Sequence, residues 1–166
     1  MDDLVMDELK EIYNRENIRK QSIENKTSYL VGVISIVMTI LISKFDYFIC
    51  FNPHKLTINL ILYICSLVCL GVSMGLCLII FYPKNFQHPF NMNNFEDFNK
   101  NFNKNDIKFR NNLKDLYVLS NFNNHHINNN LFKKLNYAFI LFSKFIILFI
   151  ILSIMQITNT IIYIPI

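Results

Sequence analysis

Lys100, Lys104, Lys108, Arg110 and Lys114 form a basic run interleaved with Phe98, Phe102 and Phe109. Cations beside rings can hold a phosphate through charge-assisted hydrogen bonds and stack a base on an aromatic face, which makes Lys104, Lys108, Arg110 and Lys114 candidate nucleotide-binding residues. The same cations close to a membrane are drawn to anionic lipid headgroups with no pocket at all, and that is the simpler reading. His125 and His126 are adjacent. On a helix they would point about 100 degrees apart, a poor pair for one metal ion, so they read as solvent-facing loop residues.

Chemistry beyond binding is not written in this chain. No hydrolase triad, glycine-rich phosphate loop, dinucleotide fingerprint or metal-ligand spacing occurs, so neither enzymatic activity nor a metal or resident cofactor is expected. Cys65, Cys69 and Cys77 share one apolar stretch and Cys50 precedes it. No zinc pattern or disulfide framework emerges from that spacing, and cysteine in an apolar helix is ordinarily a small packing residue.

The elements that must position the basic run are dominated by three stretches without charge. Leu56 to Pro83 and Phe145 to Ile166 contain no charged residue, and Thr27 to Ser43 is a third run of 17 residues between Lys26 and Lys44. A hydrocarbon layer of about 30 Å needs roughly 20 apolar residues at 1.5 Å of rise each. The long runs meet that length, and the third gains reach from flanking lysines that snorkel to the interface. A soluble bundle would need amphipathic partners long enough to cover three apolar helices, and the chain has none.

Between the spans, Phe51-Asn52-Pro53-His54 is a turn signal, and Tyr82-Pro83-Lys84 ends the second span at a helix-stopping proline. Gly71 and Gly75, four apart, would let another helix approach closely, either as a dimer seam or within the chain. The expected architecture is an all-α membrane protein with four segments. These are a cytoplasmic N-terminal helix over 1–26, a transmembrane hairpin over 27–83 with spans of about 27–45 and 58–82, a cytoplasmic helical segment over 84–136, and a third span with a short outer end over 137–166.

Residues 2–25 carry Glu11/Arg15 and Glu16/Lys20 at i,i+4 spacing and an apolar stripe of Val5, Leu9, Ile12 and Tyr13. The spacing predicts a helix that packs on a neighbour and runs unbroken into the first span. Between Asn91 and Asn130 lie 15 asparagines, which lowers local helix propensity. Even so, Ile107, Leu113, Leu116, Tyr117, Leu119, Phe122 and Leu131 recur at roughly helical spacing and predict a helix from about Asp106 through Phe122. Two alternatives stay open beyond it, continuation into the third span and low-complexity disorder. Lys144 reads as interfacial, because the uncharged run after it is long enough alone; the other reading places it deeper, facing a bundle interior.

Basic residues set the expected orientation. Residues 1–26 hold five and residues 84–136 hold eight, whereas the loop between the first two spans holds Lys44 and Lys55. That asymmetry puts the N-terminus inside and the C-terminus outside. A cleavable signal peptide is not expected, since seven acidic residues precede the first span where a basic n-region would stand. The net charge of +4 does not point to nucleic acid as a partner.

Three landmarks together resemble a known family. Glu24-Asn25-Lys26-Thr27-Ser28 opening the first span is similar to the start of the transmembrane effectors of Pycsar antiphage systems, the PycTM domain. Leu78-Ile79-Ile80-Phe81-Tyr82-Pro83-Lys84 resembles that family's second-span exit, and Lys134-Leu135-Asn136-Tyr137-Ala138 its lysine-rich entry to the last span. Thr27 stands where Ala is commoner, and Lys84 where Arg is commoner. The resemblance, over residues 20 to about 158, implies a bacterial inner-membrane defence effector. Its ligand would be 3′,5′-cyclic CMP or cyclic UMP made by a partner cyclase, and its action would be to impair the membrane as a homo-oligomer and abort infection. Two rival expectations keep the same fold: a holin-like or toxin-like pore former without ligand control, and a structural subunit of a membrane complex.

Overall fold

The structure, a computed structural model, describes residues 2–43, 56–89 and 107–162. Three α-helices account for nearly all of them: α1 (Asp2–Ser43), α2 (Leu56–Phe81) and α3 (Ile107–Ile162). All three are long and apolar enough to cross a membrane. The turn at Phe51-Asn52-Pro53-His54, the flanking Lys44 and Lys55, and Cys50 lie outside the described residues.

The chain divides into two compact units. The first comprises Met1–Ile23 and Pro83–Phe132, the second Glu24–Tyr82 and Lys133–Ile166. α1 and α3 each contribute residues to both.

In the second unit the covered residues fall at alternating steps of four and three. On α2 they are Asn59, Tyr63, Ser66, Leu70, Ser73, Cys77 and Ile80; on α1, Thr27, Leu30, Ile34 and Leu41; on α3, Leu135, Ala138, Phe145 and Leu152. An average step of 3.5 residues is that of left-handed coiled-coil packing, in which each knob sits in a hole of the facing helix. Along α2 small residues (Ser66, Ser73, Cys77) are interspersed with large ones (Tyr63, Leu70, Ile80), and small seam residues are what let apolar helices draw together where no water drives them. The Phe142, Phe145 and Phe149 rings stack in series at 5.9 and 5.8 Å between centroids.

Interhelical hydrogen bonds tie this seam. Tyr63 Oη donates to the Leu41 carbonyl at 3.0 Å, and Ser73 Oγ donates to the Ala138 carbonyl at 2.9 Å. Such bonds are modest in an apolar bundle, so Ser73→Ala is expected to destabilise by only about 0.5–1 kcal/mol, measured by thermal loss of helical circular dichroism in detergent. A much larger loss would mean that Ser73 also carries packing that alanine cannot replace.

The first unit has a polar seam instead. Buried Tyr117, Asn121, Asn124, Asn128 and Leu131 follow the same four-three steps along α3, facing half-buried Leu9, Tyr13, Glu16 and Lys20 and buried Ile23 of α1. Asn121 Nδ2 donates to the Leu9 carbonyl at 3.0 Å and Asn128 Nδ2 to the Glu16 carbonyl at 2.8 Å. Both partners advance by seven residues, one heptad, so α1 and α3 run parallel in this unit. The apolar stripe of the N-terminal helix is covered here at Leu9, Ile12 and Tyr13, while Val5 stays exposed.

Within the Asn-rich stretch residues 107–130 are therefore helix, and α3 continues past Phe122 to Ile162, while residues 91–106 lie outside the described residues. Low intrinsic propensity is offset by tertiary hydrogen bonds from the asparagines that fall on the seam. His125 and His126 correct the loop expectation, because both sit on α3, exposed at their side chains.

Candidate functional site

The densest polar arrangement in the described residues surrounds Glu16 in the first unit. Its side chain is only 12% exposed, which for a carboxylate demands partners. Asn128 Nδ2 donates to Oε2 at 2.7 Å, and His125 Nδ1 lies 2.8 Å from Oε1. The Arg19 guanidinium is 3.7 Å away and also donates to Asn129 Oδ1 at 2.7 Å. Burial pushes the Glu16 carboxyl up, but the hydrogen bonds from His125 and Asn128, with the charges of Arg19 and His125, outweigh it and hold it below its ordinary value.

A short segment, Pro83–Pro89, lies against the same helices without regular structure of its own. Asn124 holds it at two points. Asn124 Oδ1 accepts from the Gln87 amide and Asn124 Nδ2 donates to the Gln87 carbonyl, both at 2.9 Å. Asn123 adds a third bond to Gln87 Oε1 at 2.6 Å. Tyr13 Oη pairs with His88 Nδ1 at 2.6 Å, and the same tyrosine meets Tyr117 edge-on at 6.1 Å. The Lys20 ammonium sits 4.9 Å above the Phe86 ring, within cation–π range.

This arrangement clasps two helices and a connecting segment by side-chain amides and one buried carboxylate. No cluster of three or more metal-ligating side chains occurs among the described residues. Lys20 and the Phe86 ring supply a cation-and-ring pair of the kind the basic run offers.

The run itself is only partly described. Lys100, Lys104, Phe98 and Phe102 lie outside the described residues, as do the side chains of Lys108 and Phe109. Arg110 is exposed and Lys114 half-buried, one turn apart on α3. Of the family landmarks, Lys26 and Tyr137 are exposed, Glu24 and Lys134 half-buried, Pro83 exposed and Lys84 half-buried. Ser28 Oγ donates back to the Glu24 carbonyl at 3.0 Å.

A Cβ added at Gly71 or Gly75 meets nothing within 4 Å. Neither glycine therefore meets a close helix approach among the described residues. Cys77 is buried in the α2 seam, Cys65 exposed and Cys69 half-buried, all as free thiols.

The Glu16 clasp went unseen in the sequence because its partners are more than 100 residues apart. A signal existed nonetheless: Asn121, Asn124 and Asn128 keep the four-three step of Tyr117, Leu131, Leu135 and Ala138. No family model, curated protein or solved structure matches the chain.

Proposed function

We propose that the chain is a Pycsar-like antiphage effector that a cyclic pyrimidine nucleotide activates and that then impairs the bacterial inner membrane. The observation that carries this reading is the combination of three span-length apolar helices with a separate compact unit whose seam is polar. A membrane-disrupting element and a ligand-responsive element are the two parts such an effector needs. The landmarks around Lys26, Pro83 and Lys134 support the same reading.

In this account the N-terminus and the first unit lie in the cytoplasm and the C-terminus outside. The nucleotide, made by a partner cyclase, meets cations of that unit. Lys104, Lys108, Arg110 and Lys114 are one candidate set for its phosphate, and Lys20 beside Phe86 is a second. A ligand shifts an equilibrium only by binding its two states differently. The polar clasp supplies such an equilibrium, since its hydrogen bonds can be exchanged for water or for ligand at small net cost. Copies of the chain associate in the membrane, with the open face over Gly71 and Gly75 as a contact.

Equilibrium binding of cyclic CMP, cyclic UMP, cyclic AMP and cyclic GMP to the detergent-purified protein tests the sensing step. Selective binding of one pyrimidine nucleotide is expected, weakened at least tenfold in Lys104→Ala/Lys108→Ala/Arg110→Ala or in Lys20→Met. Absence of binding to a folded protein would remove direct sensing and raise the holin-like reading above it.

A further inference from the structure

We propose that Lys144 lines a water-filled path enclosed by several copies of this chain. The inference deepens the membrane-impairing reading above and rests on it. The Ser73 hydroxyl bonded to the Ala138 carbonyl fixes α2 and α3 in register, because so short a side chain permits little slip. Consecutive spans cross in opposite directions, so six residues beyond Ala138 on α3 correspond to six before Ser73 on α2. Lys144 is then level with Leu67. At 1.5 Å per residue Leu67 lies about 16 Å from Leu56 and about 21 Å from Phe81, the two ends of α2.

Any bilayer that covers α2 therefore has Lys144 near its middle, farther from either interface than a four-carbon stem reaches. On this placement Lys144 lies deeper than an interfacial lysine would. Its side chain is also exposed, so it does not face the bundle interior. A charge facing lipid at that depth is costly and calls for a counter-ion or water. No acidic residue lies in any of the three spans; the last one in the chain is Asp115. A second copy therefore brings no counter-ion, and water is the remaining way to solvate the ammonium.

The surroundings say what encloses that water. Ile140, Ile147, Ile151 and Ile154 share Lys144's stripe at steps of four and three and are 42%, 59%, 42% and 55% exposed. β-branched residues at this spacing, interrupted by one lysine, are what a helix presents to another helix when a polar residue fixes register and copy number. Copies packed along this stripe place their Lys144 side chains in a ring about a shared lumen. A ring of lysines favours anions.

The test uses the full chain in vesicles of phosphatidylethanolamine and phosphatidylglycerol, with all four cyclic nucleotides present. Lys144→Cys and Ile146→Cys are treated with a charged, membrane-impermeant methanethiosulfonate, and labelling is counted in excess of the unsubstituted protein, whose own cysteines set the background. Residues 144 and 146 share a depth but lie about 160 degrees apart around α3. About one extra labelled thiol per chain is expected at Cys-substituted 144 and none at 146, with the difference lost when lipid is added until vesicles hold single chains.

Equal, negligible labelling at both positions would overturn the proposal in favour of a lipid-facing lysine. Labelling that survives dilution to single chains would overturn the role of further copies. Where the vesicles conduct, the wild type is expected to prefer chloride over potassium and Lys144→Glu to reverse that preference. An unaltered preference in Lys144→Glu would also overturn the proposal. Vesicles that do not conduct at all would count against the membrane-impairing reading, while the labelling still decides the placement of Lys144.

Discussion

Glu16→Ala is expected to destabilise the first unit by about 2 kcal/mol and to speed hydrogen exchange along both of its helices, with little change in the second unit. The carboxylate is nearly covered, and its removal leaves the Arg19 guanidinium without its acid and Asn128 Nδ2 with only the Glu16 carbonyl. A lost hydrogen bond to a charged group is worth about 1.5–3 kcal/mol. His125, half in water, loses less. Glu16→Gln keeps an acceptor and is expected to recover roughly half of the loss.

The same group sets a pH dependence. The Glu16 carboxyl is held below its ordinary value of 4.5, so the stability it contributes is fully present above that value. It is lost as pH falls through the lower, folded-state value. Protection in the first unit, with the intrinsic exchange rate divided out, should therefore fall in acid in the wild type and much less in Glu16→Gln. An identical acid response in both would show that another carboxylate is responsible.

Asn124→Ala is expected to cost about 2–3 kcal/mol and, more diagnostically, to release the Pro83–Pro89 segment. Asn124 is fully buried and is the two-point partner of the Gln87 peptide group. Each neutral hydrogen bond contributes about 1 kcal/mol and the vacated volume adds to the loss. Amide exchange mapped by peptide mass spectrometry should show Gln87 losing protection first. Asn124→Asp retains the acceptor for the Gln87 amide but not the donor to its carbonyl, and should fall between alanine and wild type. Unchanged protection at Gln87 in Asn124→Ala would mean that the Asn123–Gln87, Tyr13–His88 and Lys20–Phe86 contacts hold the segment without Asn124.

Legibility divided along the two units. The spans were readable because the absence of charge over 20 or so residues is a solvent argument that needs no knowledge of neighbours, and all three appear as helices. Residues 91–130 were harder, because asparagine is a poor helix former and a good turn former, and nothing local distinguishes a seam asparagine from a surface one. Asn121, Asn124 and Asn128 are helical because their amides reach Leu9, Glu16 and Gln87, contacts that exist only once the chain has folded. His125 was misplaced for the same reason. The basic run was sought for its residue types, but its Lys100 and Lys104 fall outside the described residues, and the cation and ring seen together, Lys20 and Phe86, come from segments that share no local signal.

If, as proposed, a cyclic pyrimidine nucleotide turns this chain into an agent of membrane damage, release of a trapped dye from vesicles reconstituted with the protein reports it. The expected result is release on adding cyclic CMP or cyclic UMP, little or none with cyclic AMP or cyclic GMP, and none from protein-free vesicles. Equal release with and without any nucleotide would contradict ligand control and leave a constitutive pore former. No release under any nucleotide, from vesicles shown to hold folded protein, would contradict membrane damage itself.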